Sequence, residues 1–365
     1  MGIKDDTDRH QIYLSKLASG ILNAKIYPSL EEAYKAARAI LLDAEEIRTY
    51  KQLQAVQKKV VKDSSSIIAK GWAQATEELM LAAIYEADYY ASLLETYGAV
   101  GLAVPAAAKI RSYINDSTMT LINGSRVSSG PWAEYVNGAV DSSAKLYNGI
   151  VVSGYNNGLT VGQISKQIKD STVGVLINEA NALARTGMNH YANAAREAMA
   201  LDNDDIIKYR VYSATFDNRT SLQCRAHATS PGHWPITDKK FPPIPNHFNC
   251  RCSWVYVTDL EEISQGKQVA IGGKDVEVDP DRKLKYRGKK DTDIFNPGQI
   301  SAGVTQDEWL RKQPEWFQDS SLGKERAKLF RDGAKIENFV DSLGKPINLD
   351  RLRELDIEAL KKAAK

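Results

Sequence analysis

All three cysteines of this 365-residue chain, and three of its five histidines, fall between Cys224 and Cys252. The segment opens as C-x-x-H (Cys224, His227), passes His233, and closes as N-H-F-N-C-R-C from Asn246 to Cys252. Soft-metal ligands do not gather in this way by chance in a chain so poor in both. Whatever the chain folds into has to bring the two ends of this segment together, or leave reactive thiols with no partner.

A structural zinc asks for four Cys or His ligands in a tetrahedron. His247, Cys250 and Cys252 offer three on one tight turn, and Cys224 supplies the fourth from the other limb. His227 and His233 are spare candidates. Two thiolates flanking Arg251 repel each other unless a cation neutralises them, which is the physical reason to want a metal. Two other readings stay open on the residues alone: reduced buried thiols, or a disulfide from Cys224 to one of the other two. A catalytic zinc needs an open position and a nearby base. The nearest acids, Asp217 and Asp238, sit in no H-x-E or H-E-x-x-H frame, and Asp217 before Arg219-Thr220 reads as a turn or cap residue. Cys224 with His247 as a nucleophilic pair is a weaker alternative, and neither a glycine-rich phosphate loop nor a G-x-S-x-G motif occurs.

The length allows two or three domains. With 43% hydrophobic and 26% charged residues the composition is that of an ordinary globular protein. A net charge of +2 gives no global drive toward nucleic acid. The N-terminus, MGIKDDTDRHQ, has no apolar core behind it and does not read as a secretory signal. The most apolar run, Gly98 to Ala108, has 11 residues and contains Pro105, too short for a bilayer-spanning helix. An odd cysteine count without an export signal makes a reducing compartment the default.

The spacing predicts a mainly α fold with a small β region: a long helical N-terminal platform, a β-hairpin knob carrying the Cys/His cluster, and a C-terminal region of short helices. Ser29 and Glu32 form an S-x-x-E box before apolar positions Leu30, Tyr34, Ala37 and Leu41. A second helix is expected from about Val60 to Thr96. The polar stretch Asn115 to Gly130 marks a break. Helices resume over Trp132 to Asn156 and, behind a Thr160/Gln163 box, run to about Leu201. Tyr209 to Phe216 and Ser253 to Val257 alternate as strands do. Paired antiparallel, they carry Cys224 back beside His247, Cys250 and Cys252. Val269 to Val278 reads as a hairpin turning at Gly272-Gly273. Arg282, Lys283, Lys285, Arg287, Lys289 and Lys290 form a basic run without acids, a candidate nucleic-acid patch with Tyr286 available to stack. After a Gly/Pro/Asp-rich linker, Thr305 and Glu308 box the first of several short helices, with Gly333 and Gly344 as stops. The regions expected are 1–130 (helical), 131–262 (carrying the cluster), 263–300 (hairpin and basic linker) and 301–365 (helical).

Taken together, Arg185-Thr186 on a helix, T-F-D-N-R-T-S-x-x-C (Thr215 to Cys224) and F-P-P-I-P-N-H-F-N-C-R-C (Phe241 to Cys252) resemble the phage minor head protein family of the Mu F type, also called the head morphogenesis domain. Its pattern is D-x-R-T-C-x-x-C followed by P-P-x-H-x-N-C-R-C. The resemblance covers roughly residues 145–260, and the tail segments from Glu308 to Asp319, Leu322 to Phe330 and Asn348 to Leu355 look like the extension many such proteins carry. Two departures stand out: Ser221 replaces the first cysteine of C-x-x-C, and Gly187 follows Arg-Thr where an acidic residue is common.

The resemblance implies a structural virion component rather than an enzyme. It places such a protein in the head interior or at the portal vertex, and in the host cytoplasm during assembly. Its expected partners are the portal protein and capsid or scaffold components, with contact to packaged DNA and ejection along with it. It implies no membrane anchor and no small-molecule substrate, and leaves zinc a structural role. The alternatives are a zinc-dependent enzyme acting on nucleic acid or peptide, and a DNA-binding module using the basic run.

Overall fold

The computed structural model describes residues 2–44, 47–123, 126–230, 232–261, 265–271, 277–278, 297–342 and 344–354. The fold is mainly helical with three small antiparallel sheets, as the spacing predicts. Among the described residues, no helix is long and apolar enough to cross a membrane.

Helix α1 (Ile3–Ile21) runs through a π-turn at Leu22–Ile26 into α2 (Tyr27–Asp43). The expected cap at Ser29 is therefore absent. Pro28, which lacks an N–H, follows the π-turn, and the chain stays helical across it. Ser29 lies inside α2, where its Oγ donates to the Ile26 carbonyl at 2.8 Å. Helix α3 (Tyr50–Thr96) starts ten residues before the expected Val60, behind a reciprocal Thr49/Gln52 box. At 47 residues it is roughly 70 Å long. The connector that follows ends in α4 (Ala107–Asp116).

The Asn115–Gly130 stretch is more than a break. Strands β1 (Met119–Asn123) and β2 (Arg126–Gly130) pair antiparallel from Met119↔Gly130 to Asn123↔Arg126. Met119, Leu121 and Ile122 are buried while Arg126 to Ser129 are exposed. A hairpin with one solvated strand carries little hydrophobic signal, so its Ser/Asn/Gly content reads as loop.

Helix α5 spans Trp132–Asn156, as expected, and α6 (Val161–Ser171) opens on the Thr160/Gln163 box. A second π-turn, Thr172–Leu176, leads into α7 (Ile177–Leu201). The middle of α7 is buried nearly all round, from Thr186 to Arg196, between α3, α1 and the sheet that carries the cluster.

Strand β3 (Tyr209–Ser213) is the centre of that sheet. It pairs antiparallel with β4 (His233–Pro235) on one side and with β5 (Ser253–Val257) on the other, in register from Tyr209↔Val257 to Ser213↔Ser253. Between β3 and β4 lies α8 (Leu222–Thr229).

The hairpin expected over 269–278 is not formed by adjacent strands. β6 (Lys267–Ile271) and β7 (Glu277–Val278) both pair with β8 (Pro297–Ser301), in the order β6-β8-β7. The strand between them comes from the stretch read as linker. Residues Arg282 to Lys290 lie outside the described residues.

The C-terminal helices cover Gln306–Arg311, Glu315–Leu322, Lys324–Arg331 and Leu349–Glu354. Trp309, Phe317, Phe330 and Phe339 form a satellite core that takes in Phe216 and Ala226 from around the cluster. Gly333 ends a helix at φ 113°, but Gly344, at φ 77°, turns a loop against the His227 ring instead.

Candidate metal centre

The antiparallel pairing of β3 and β5 sets the site. Cys224 lies in the first turn of α8, just beyond β3, and the N-C-R-C turn leads directly into β5. Ser221, standing where the family pattern has a cysteine, is the N-cap of α8: its Oγ accepts the Cys224 N–H at 3.3 Å. Asn249 takes a left-handed backbone at φ 58°, closing the turn that returns the Cys250 N–H to the His247 carbonyl at 3.1 Å.

Cys224 Sγ lies 3.3 Å from His247 Nε2 and 3.9 Å from Cys250 Sγ. The three donor atoms all lie within 4.8 Å of one another. Around a tetrahedral zinc, bonds of about 2.3 Å to sulfur and 2.0 Å to nitrogen give edges of roughly 3.8 Å (S–S) and 3.5 Å (S–N). The observed separations fit such an ion. His247 Nδ1 sits 2.8 Å from the Phe248 carbonyl. A proton there leaves the Nε2 lone pair turned toward the thiols, the second-shell arrangement of a metal-bound imidazole.

All three cysteines are buried and unbridged. Hydrogen bonds from Cys224 and Cys252, aided by His247 and against burial, hold the Cys250 thiol well below its ordinary pKa. Burial opposes protonation of His247, yet Cys224 and Cys250 raise its pKa to about 11. Burial and the neighbouring sulfurs push Cys252 well above its ordinary pKa. Negative charge at the Cys250 thiol is balanced by His247, with Arg225 and Arg251 close enough to the sulfurs to add to it. Cys252 lies outside the group of three donors within 4.8 Å of one another, although its thiol interacts with those of Cys224 and Cys250. His227 packs against Tyr212 with its buried Nε2 unpartnered, and burial lowers its pKa to about 4. His233 lies in β4 with its ring edge-on to Tyr209.

A clip locks the turn. Arg251 donates from Nη1 to Asp217 Oδ2 (2.6 Å) and from Nη2 to Asp217 Oδ1 (2.9 Å). Oδ1 also accepts the backbone N–H groups of Arg219 (3.0 Å) and Thr220 (2.9 Å). Asp217 is therefore a turn residue, as the sequence indicates, and also joins the D-N-R-T element to the N-C-R-C element. Burial raises its pKa, but Arg251, Arg225 and Thr220 outweigh it and hold the carboxyl below its ordinary value. Arg225, fully buried, donates to the Asp217 carbonyl and to Gln306 Oε1, fastening the first C-terminal helix to the clip.

Helix α7 joins the motif's Thr186 to two residues that motif reading missed, Asn189 and Asn193. Thr186, Asn189 and Asn193 form a polar stripe at i, i+3 and i+7. Thr186 Oγ1 accepts the Asn249 N–H (2.9 Å), Asn189 Nδ2 donates to the Cys250 carbonyl (2.8 Å), and Asn193 Oδ1 accepts the Trp254 N–H (2.8 Å). The signal is in the sequence: two asparagines and a threonine at helical spacing, continued by Arg196 at i+10. Gly187 lies under the Trp132 ring with no room for a side chain, so the acidic residue common there in the family has no counterpart here.

Residues 148–255 match the family model described as Phage Mu protein F like protein. No curated protein and no solved structure gives a significant match. The matched span runs from α5 through β5 and contains the cluster, the clip and the polar stripe of α7.

Proposed function

We propose that this protein is a minor head component of a tailed phage, docked at the portal vertex or head interior, that aids head assembly. The observation that carries this reading is the match of residues 148–255 to the Mu F-like family, coinciding with the segment in which both motif elements are clipped together. Phage and head association is what that family implies; the portal and scaffold partners, contact with packaged DNA and ejection with it extend the same reading. The role is structural, not enzymatic. Asp217, the acid closest to the cluster in sequence, is fully engaged as a turn and clip residue. Zinc held by Cys224, His247, Cys250 and Cys252 would cross-link a β excursion with a small core of its own.

Quantitative mass spectrometry of purified particles and of emptied shells tests this. A few to a dozen or so copies per particle are expected, and loss from emptied shells means the protein leaves with the DNA. Absence from both overturns the proposal.

A further inference from the structure

Beside the Cys/His turn lies a cleft of about 510 Å³, lined by Gln11, Ser15, Arg185, Arg219, Ser221 and the 247–251 turn. A second hollow of about 320 Å³ adjoins it, sharing Gln11, Ser15, Arg185 and Arg251 and adding Lys16, Ile12, Val269 and Ile271. Four cations thus face one continuous depression. Arg251 is neutralised by Asp217, but Lys16, Arg185 and Arg219 are exposed and have no ion-pair partner among the described residues. Among the described residues the one carboxylate lining either hollow is Asp8, which is buried and holds Ser213; the Cys250 thiol on the first cleft's wall is paired with His247. Uncompensated guanidinium groups in a concave, partly enclosed site attract anions with two oxygens to offer, because the fork geometry matches a carboxylate or phosphate.

The rest of the lining decides between anions. Ile12, Met188, Val269 and Ile271 share the lining with the cations, and Phe248 is 43% exposed. Single-stranded nucleic acid asks for successive aromatic platforms along a basic track, and among the described residues the cleft offers one Phe, Tyr or Trp ring, that of Phe248. Apolar and cationic residues line the same walls, with Gln11, Ser15 and Ser221 as hydrogen-bonding side chains, and together complement a peptide segment that is acidic and partly apolar.

We propose that this cleft is the docking site for an acidic, partly apolar polypeptide segment of a partner protein, held by Arg185 and Arg219. This holds independently of the head-protein reading, since it rests on the cleft alone.

The test uses the full chain and fluorescence anisotropy. The probes are a labelled pool of ten-residue peptides alternating Asp or Glu with Leu, Ile or Phe, the same pool with Asn and Gln replacing the acids, and a labelled twelve-nucleotide oligothymidylate. The acidic pool should bind at least tenfold more tightly than the neutral pool and weaken steeply with added salt. The R185E/R219E double variant should lose that binding, while R126E, at an exposed site in β2, should keep it. Both substituted positions are exposed, and circular dichroism confirms that the variant is folded. Equal binding of the acidic and neutral pools overturns the proposal, as does retention by the double variant. Tighter binding of the oligothymidylate, lost in that variant, assigns the cleft to nucleic acid instead.

Discussion

Removing the Asp217 carboxylate tests whether the two motif elements are held by the clip. In Asp217→Ala four interactions go together: a bidentate ion pair whose acid is 3% exposed and whose base is 35% exposed, the acceptor for two backbone N–H groups, and that for the Thr220 hydroxyl, which keeps its bond to the Thr215 carbonyl. Breaking a buried pair costs about 3–5 kcal/mol, and the partial exposure of Arg251 puts this one nearer 2–3 kcal/mol. Two orphaned turn donors add about 1 kcal/mol each. A loss of about 4–5 kcal/mol is expected in guanidinium unfolding followed by circular dichroism, read at constant m-value. Asp217→Asn keeps the Oδ1 acceptor and should lose about half as much. The carboxyl pKa is depressed in the folded state, so its contribution is present above the unfolded value near 4 and is lost as pH falls through the folded value. The gap between wild type and Asp217→Ala should accordingly narrow below about pH 4. In a double-mutant cycle with Arg251→Leu the coupling should be about 2 kcal/mol. A coupling near zero, or a single-variant loss under about 1 kcal/mol, refutes the clip.

Protein grown with zinc should carry about one ion per chain, and Cys250→Ser should lose both the ion and the melting-temperature drop that a chelator causes in the wild type; metal-free protein with an unchanged melting temperature counts against the metal centre. Gly187→Ala sets a methyl into the Trp132 ring, which is wedged between Trp72 and Tyr191 and hydrogen-bonded to Thr76; a cost of about 1–3 kcal/mol in chemical unfolding follows from overpacking. Asn249→Gly should be nearly neutral, and Asn249→Val should destabilise by about 1 kcal/mol or more, because the left-handed backbone excludes β-branched side chains. Burial raises the Asp8 pKa to about 7. A raised folded value gives stability that is full below the unfolded value near 4 and is lost as pH rises through about 7. Asp8→Asn should flatten the decline in melting temperature between pH 5 and 8, and an unchanged slope would show that other groups set it.

Legibility in the sequence followed the strength of each local signal. The Thr160/Gln163 and Thr305/Glu308 boxes are local rules that packing did not override; the strands expected over Tyr209–Phe216 and Ser253–Val257 form, the first ending at Ser213, but both faces are buried, so their alternation did not mark a solvated side. The antiparallel pairing that brings Cys224 to His247 followed from those two strands. Ser29 failed because a cap motif says nothing of what precedes it: the π-turn delivers an already formed helix. The β1–β2 hairpin failed because its outer strand is solvated, and β8 because a sheet ordered β6-β8-β7 is set by non-local pairing. The clip was half legible. Asp217 as a turn residue is a sequence rule, but its pairing with Arg251 spans 34 positions and depends on the fold.

The helical half is more than a platform for the cluster. Turn geometry at Asn249 to Trp254 is dictated by side chains on α7, and α7 is itself fixed by buried charge. Arg196 Nε donates to Glu86 Oε1 at 2.6 Å, and His10 Nε2 lies 2.6 Å from Glu86 Oε2, joining α7, α3 and α1. Gln11, the next residue on α1, donates to Asn189, the residue that holds the Cys250 carbonyl. A buried ion pair is a weak source of net stability, since desolvation offsets its attraction. It does penalise every arrangement in which a partner is left unpaired. A slip of α7 by one turn against α3 would strand Glu86 and Arg196, and would carry Thr186, Asn189 and Asn193 about 5.4 Å out of step with the turn they serve. The polar network therefore selects one register of three helices, and that register places the donors on which the Cys/His geometry depends.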